Sequence, residues 1–284
     1  ISDQTIFSTF IGDSIWIRKN DYNSEFVKDL DSAISFQIRN DISHELYQNL
    51  SESMLSKLFD KRNLRAKKVL IFCPTGKLNG LNLSMLHPKS FNGYFGDNLN
   101  IFYTFSASSM DLDGINISNT GKTIAFSFSD LETIKNPSLV LPELPGAYQE
   151  VKAFINQSVQ NIIYTGTYAS RQNCINAYSD TLTNHLYLAL HGVSNSFTRE
   201  NTYLILRTNN YKKLDTFYGY EFLKYPSKIP LITLATCESS NGTNVENEGI
   251  YNLVRYLKQN GAKRIDSNYW KSKDFNQHFL FKLI

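Results

Sequence analysis

From Leu144 onward the chain alternates short apolar runs with stretches whose apolar residues recur at helical spacing, and this alternation constrains the fold more than any other feature. The expected order is helix Leu144–Gln157, strand Asn161–Tyr164, helix Ala169–Tyr178, strand Leu186–Leu190, a hairpin near Tyr203–Arg207, and helix Thr216–Leu223. Strand Ile229–Ala235, helix Glu246–Gln259 and strand Arg264–Tyr269 complete it. Strands joined through helices run parallel, so the expected core is a mostly parallel sheet with helices on both faces.

The part before it is less regular. TIFSTFI and SIWIRK, separated by Gly12-Asp13, read as a strand pair, and helices are expected over Ser24–Gln37 and Ser43–Phe59. VLIFC (Val69–Cys73) reads as a buried strand ending in the turn Pro74-Thr75-Gly76-Lys77, and IFYTF and TIAFSFS continue the strand theme. A soft boundary at Asn116–Gly121 divides an N-terminal α/β subdomain, 1–120, from a second subdomain, 121–284, within one unit. The chain opens at Ile1, so it is expected to be an excised piece of something longer.

Bulk properties exclude several functions. With 284 residues the chain needs no disulfide staples, and 29 Lys and Arg against 26 Asp and Glu leave only +3. That charge argues against nucleic-acid or anionic-membrane partners, the basic run Lys61–Lys68 reading as a solvated helix end. No apolar run approaches the roughly 20 residues of a membrane span. Three cysteines without a C-x-x-C spacing suggest neither a zinc site nor a disulfide framework, and fit a reducing, cytoplasmic compartment. His44, His87, His185 and His278 lack ligand partners at metal-binding spacings, and Gly76-Lys77 lacks the rest of a phosphate-binding loop, so no metal or cofactor is expected.

Two strands run straight into reactive residues: LYLAL into His191-Gly192, and PLITLAT into Cys237 and Glu238-Ser239-Ser240-Asn241-Gly242. In a parallel α/β sheet, sites form outside the carboxyl ends of the strands, and both residues fall on that edge. An imidazole beside a thiol can take its proton and make it a nucleophile. Gly192 allows a backbone amide close to a substrate carbonyl. A helix beginning at Glu246 would lend its N-terminal dipole to a thiolate. Each residue alone also reads as structural, a core cysteine or a satisfied histidine; the pairing on one edge is what favours chemistry. Cys73 and Cys174 have no such partner and are expected to be packing residues.

These segments resemble the CHAT domain, a caspase-like, separase-related cysteine peptidase family often fused to TPR repeats. The resemblance is carried by VLIFCPTGKLNGLNLSML, LPGAYQEVKAF, LYLALHG, LATCESSNG and NEGIYNLVRYLKQNGAKRIDSNYW, spread over nearly the whole chain. It implies a caspase/hemoglobinase-like three-layer sandwich, with His191 as general base, Cys237 as nucleophile, and the amides of Gly192 and Cys237 as the oxyanion hole. It further implies that Ser267, Asn268, Tyr269 and Trp270 match the strand that pairs with substrate, with Trp270 as a wall of the groove. Asp274, in W-x-x-x-D, resembles the family's acidic position near the first specificity pocket or a cap of the last helix. The chain departs from the pattern at Leu190, where a small residue is usual and a larger one would narrow the site. The Ser or Thr expected after the cysteine is met only loosely by Glu238-Ser239-Ser240.

The resulting expectation is a cysteine endopeptidase acting on a protein or peptide through a thioester acyl-enzyme. A regulatory region, TPR-like, is expected in the parent chain or a partner. Two alternatives remain open: an inactive caspase-like scaffold or binding module, and a Cys–His amidohydrolase or acyltransferase acting on a small molecule.

Overall fold

Amphipathic spacing does form the first two helices. In a computed structural model of the chain, α1 spans Ser24–Arg39 and α2 spans His44–Leu58, with Phe26, Leu30, Ala33, Met54, Leu55 and Leu58 buried in one core. The Ser43 side chain caps α2 by accepting from the Leu46 amide. The structure describes residues 5–11, 15–21, 23–39, 43–59, 64, 69–106, 121–129, 141, 143–155, 160–194, 198, 202–210, 213–236, 242–245 and 249–268. The chain divides into two compact units, Ile1–Met110 and Asp111–Ile284. The stretch 116–120 of the expected boundary lies outside the described residues.

In the first unit an antiparallel pair, β1 (Thr5–Ile11) and β2 (Ile15–Asp21), precedes the helices. β3 (Val69–Phe72) pairs in parallel with β4 (Asn100–Tyr103). Buried Gln37 ties α1 to the loop after β3 by donating to the Tyr47 hydroxyl and the Asn82 carbonyl and accepting from the Asn82 amide. Leu78, which follows the turn Pro74-Thr75-Gly76-Lys77, is buried in the same core.

The second unit is built on a five-stranded sheet in which every neighbouring pair runs parallel. Its strands are β5 (Lys122–Ser127), β6 (Ile162–Tyr164), β7 (Thr183–Ala189), β11 (Leu231–Leu234) and β14 (Arg264–Ser267), ordered β14-β11-β7-β5-β6. Between β7 and β11 come β8 (His191–Val193), β9 (Tyr203–Arg207) and β10 (Leu214–Tyr218), an antiparallel sheet of their own. A small hairpin, β12 (Thr243–Val245) and β13 (Gly249–Tyr251), follows β11. After the short α3 (Phe95–Asn98) of the first unit, the helices of this unit are α4 (Pro145–Phe154), α5 (Arg171–Ser179) and α6 (Leu253–Gln259).

Two expected helices differ from the structure. Thr216–Leu223 is half strand: β10 pairs across to β9 with Tyr218 opposite Tyr203, and only Gly219–Lys224 turns helically, as a 3-10 segment. The helix expected from Glu246 starts at Leu253, where the Asn252 side chain accepts from the Arg255 amide; Glu246 itself lies outside the described residues. The dipole expected at Glu246 therefore begins at Leu253 instead.

Alternation along the strands sends residues to two cores. Ile124, Phe126, Leu186, Leu188, Ile232 and Leu234 face α5 and α6, with Cys174, Ala177 and Leu257. Ala125, Tyr187, Ala189 and Ala235 face α4, with Ala147 and Val151. Both faces are thus covered, which is why these strands read as continuous apolar runs. In the main core Phe126, Leu188 and Leu234 stand side by side in register and are fully buried. Truncating one to alanine would cost about 2–5 kcal/mol.

The α4 face also carries polar groups. Tyr187 donates its hydroxyl proton to the buried Glu150 carboxylate, and His185 Nε2 lies 2.9 Å from Thr233 Oγ1. Burial, with a smaller contribution from the positive Arg264, lowers the His185 pKa from 6.5 to about 4. α6 ends in a hydrogen-bonded turn: Gly261 donates to the Lys258 carbonyl, Ala262 donates to the Leu257 carbonyl, and Gly261 has φ +106°.

Two predictions follow from this packing. Gly261→Ala is expected to destabilise the chain by roughly 1–2 kcal/mol in a urea titration, because an L side chain is strained at that φ and its Cβ would lie 3.1 Å from the Ser227 carbonyl. For His185, the unfolded chain takes up a proton between pH 6.5 and about 4 while the folded chain does not, so stability falls as pH falls through that window. The loss is about 3 kcal/mol, and His185→Gln should remove most of that slope in urea titrations at pH 7 and 4.5. An unchanged slope would place the acid sensitivity elsewhere.

Candidate functional site

The chain leaves β5 toward β6 on one side, then returns to lay β7 on the other. Such a reversal opens a crevice at the carboxyl ends of the two central strands, because successive crossovers lead away from it in opposite directions. β5 ends at Ser127, followed by Phe128 and Ser129; β7 ends at Ala189, followed by Leu190 and His191. The next strand, β11, ends at Leu234 and continues through Ala235 and Thr236.

His191 opens β8 and stands opposite Ile205 of β9, so its ring is held by a small antiparallel sheet rather than a loose loop. It is half-buried, and its imidazole meets the Phe128 ring edge-on with centroids 4.6 Å apart at 75°. Gly192 pairs with Leu204. Leu190, expected to narrow the site, is 1% exposed and packs into the main core, so its bulk fills the interior instead. Ser127 and Ser129 are buried with their hydroxyl oxygens 2.8 Å apart, and Ser129 accepts the Gly166 amide through its carbonyl.

Thr236 is 1% exposed, and the Asn268 side-chain amide donates to its carbonyl at 3.3 Å. That bond joins the end of β14 to the end of β11. Ser267, the last residue of β14, lies level with Leu234 on the outer strand of the sheet. Cys237, Tyr269, Trp270 and Asp274 lie outside the described residues.

Several residues around His191 carry no motif in the sequence. Arg207, at the end of the apolar run YLILR, is 2% exposed; it pairs with Glu143 and sets its guanidinium carbon 3.9 Å from the Phe128 ring centre. The signal available was a single arginine closing an otherwise apolar strand, which sequence alone reads as a solvated strand end. The other two cysteines separate in character. Cys174 is fully buried, and desolvation pushes its thiol up to about 12. Cys73, expected to be a packing residue, is exposed, because β3 ends at Phe72 and the chain turns away at Pro74; partial burial still raises its pKa. Among the described residues no group of three His, Cys, Asp or Glu side chains could hold a metal ion, and no helix is long and apolar enough to cross a membrane.

A mixed α/β unit with a parallel central sheet and helices on both faces is consistent with a caspase-like fold. A family model for the CHAT domain matches residues 40–279, and the chain belongs to that caspase-like, peptidase-related family. No curated protein matches the chain.

Iodoacetamide applied to the native chain is expected to alkylate Cys73 and spare Cys174, as read by peptide mass spectrometry. Labelling of Cys174 at a comparable rate would show that the main core opens in the native state.

Proposed function

We propose that the chain is a cysteine endopeptidase in which His191 and Cys237 form the catalytic dyad. His191 takes the thiol proton, and the thiolate sulfur attacks the scissile carbonyl carbon, moving the C=O electron pair onto oxygen. The amides of Gly192 and Cys237 hold that oxyanion. The intermediate collapses as the C–N bond breaks, the departing amine takes the proton from the His191 imidazolium, and a thioester remains. Water, deprotonated by His191, then attacks the thioester; its C–S bond breaks, the new carboxylic acid is released, and the sulfur regains the proton.

The observation that carries this reading is the adjacency of the two strand ends. β7 and β11 are parallel neighbours, with Leu188 level with Leu234, and the chain reaches His191 and Cys237 three residues beyond each. Neighbouring strands lie about 4.8 Å apart, a separation that suits an imidazole and a thiol. Further support comes from membership in a peptidase-related family. On this reading the segment Ser267, Asn268, Tyr269 and Trp270, continuing from the outer strand β14, binds an extended peptide by strand addition, with Trp270 as a groove wall and Asp274 near the first pocket. The substrate is a protein or peptide, the setting is the reducing cytoplasm, and a TPR-like region in the parent chain or a partner controls access.

Incubation with a panel of peptidyl electrophiles, read by intact mass, tests the assignment. One adduct is expected on the wild type, none on Cys237→Ala, and a rate lower by about 10²-fold or more for His191→Ala. Proteolysis surviving in Cys237→Ala would refute the nucleophile. A chain that binds peptides yet never reacts would be a scaffold, and one that hydrolyses only small amides would be the amidohydrolase alternative.

A further inference from the structure

Behind His191, three segments of the second unit converge on Phe128 and its partner Arg207. Phe128 is fully buried and fixed at its backbone: its amide donates to the Ala189 carbonyl at 2.9 Å, and its carbonyl accepts from the Leu144 amide at 3.0 Å. The guanidinium of Arg207 lies on one side of the ring, 3.9 Å from its centre, and the His191 imidazole meets it at 4.6 Å. Glu143, one residue before Leu144, supplies the counter-charge to Arg207 Nη2. His191 stands opposite Ile205, and Arg207 is two residues further along β9, so the histidine and the arginine occupy the same face of the β8–β9 pair.

This arrangement is an expensive way to fill a core. Arg207 is 2% exposed, and its Nε and Nη1 atoms are buried without a hydrogen-bond partner. A buried ion pair with unmet donors is commonly no more stable than an apolar replacement of similar volume, so packing alone does not account for the residue. A guanidinium held over an aromatic face does restrain that ring, and more strongly where water is excluded.

We infer that Arg207 and Phe128 are positioning residues for His191. Arg207 holds the Phe128 ring, and the ring stops the imidazole from turning about its second side-chain torsion, leaving one nitrogen directed at the neighbouring strand end. This rests on the proposed role of His191 as base, and it deepens that reading by naming what aims the base.

The test uses the full chain labelled with ¹³C,¹⁵N-histidine. The His191 ring correlation is assigned by its loss in His191→Ala, and hydrolysis of a peptide that reacts with the wild type is followed in parallel. Phe128→Leu and Arg207→Met should remove the ring-current displacement of the His191 signal or split it into several. The same variants should lower kcat about 10-fold to 100-fold with KM within about twofold, whereas Phe128→Tyr should retain both properties. Glu143→Gln, which preserves side-chain shape at a residue 11% exposed, should give the same effect more weakly and guards against a variant that fails to fold. An unmoved His191 signal in folded Phe128→Leu, or variants that lower only Tm, would overturn the inference. A wild type that never reacts sinks the peptidase reading, while the His191 signal still decides whether the stack aims the ring.

Discussion

The direction in which the chain leaves β5 decides where the rest of the second unit sits. β6 is added on one side and β7 on the other, and because crossovers between parallel strands are right-handed, that reversal sends α4 to one face while α5 and α6 take the opposite face. Both faces must be covered in any case, since a parallel sheet is stable only when buried on both sides. The same reversal leaves the carboxyl ends of β5 and β7 without a crossing connection between them. His191 and Phe128 meet there.

Polar groups inside this unit are arranged in two ways. On the α4 face, Tyr187 of β7 donates to Glu150 and His185 of β7 bonds Thr233 of β11, and His185 links stability to pH. At the strand ends, Arg207 and Glu143 form an ion pair whose arginine keeps two buried donors unmet. The ion pair leaves its cost next to the candidate base, which is where such costs tend to collect.

Much of the fold was legible because apolar runs in covered parallel strands are short, continuous and bounded by turns. β6, β7, β11 and β14 all fall where the sequence predicts them. The misreadings share a cause. Phe217 is buried from β10 and Phe222 from a 3-10 turn, so apolar residues of two successive elements were read as one helix. Likewise, the apolar spacing over Glu246–Gln259 merges a strand at Gly249–Tyr251 with a helix that begins after the Asn252 cap. Cys73 looked buried because it closes an apolar run, and one peptide bond beyond the strand was enough to expose it.

For the candidate site, the sequence alone marked which residue types could carry chemistry and that they follow apolar runs: LALHG and LATC state both in a few letters. Local pattern suffices for that, because strand periodicity and reactive side chains are properties of neighbours in the chain. Only the tertiary structure decided that Leu190 belongs to the core, that His191 opens a second sheet, and that Phe128, Arg207 and Glu143 gather behind its ring. Those contacts join residues separated by up to 79 positions in sequence, from Phe128 to Arg207, and no local period encodes which strand ends a right-handed crossover will bring together.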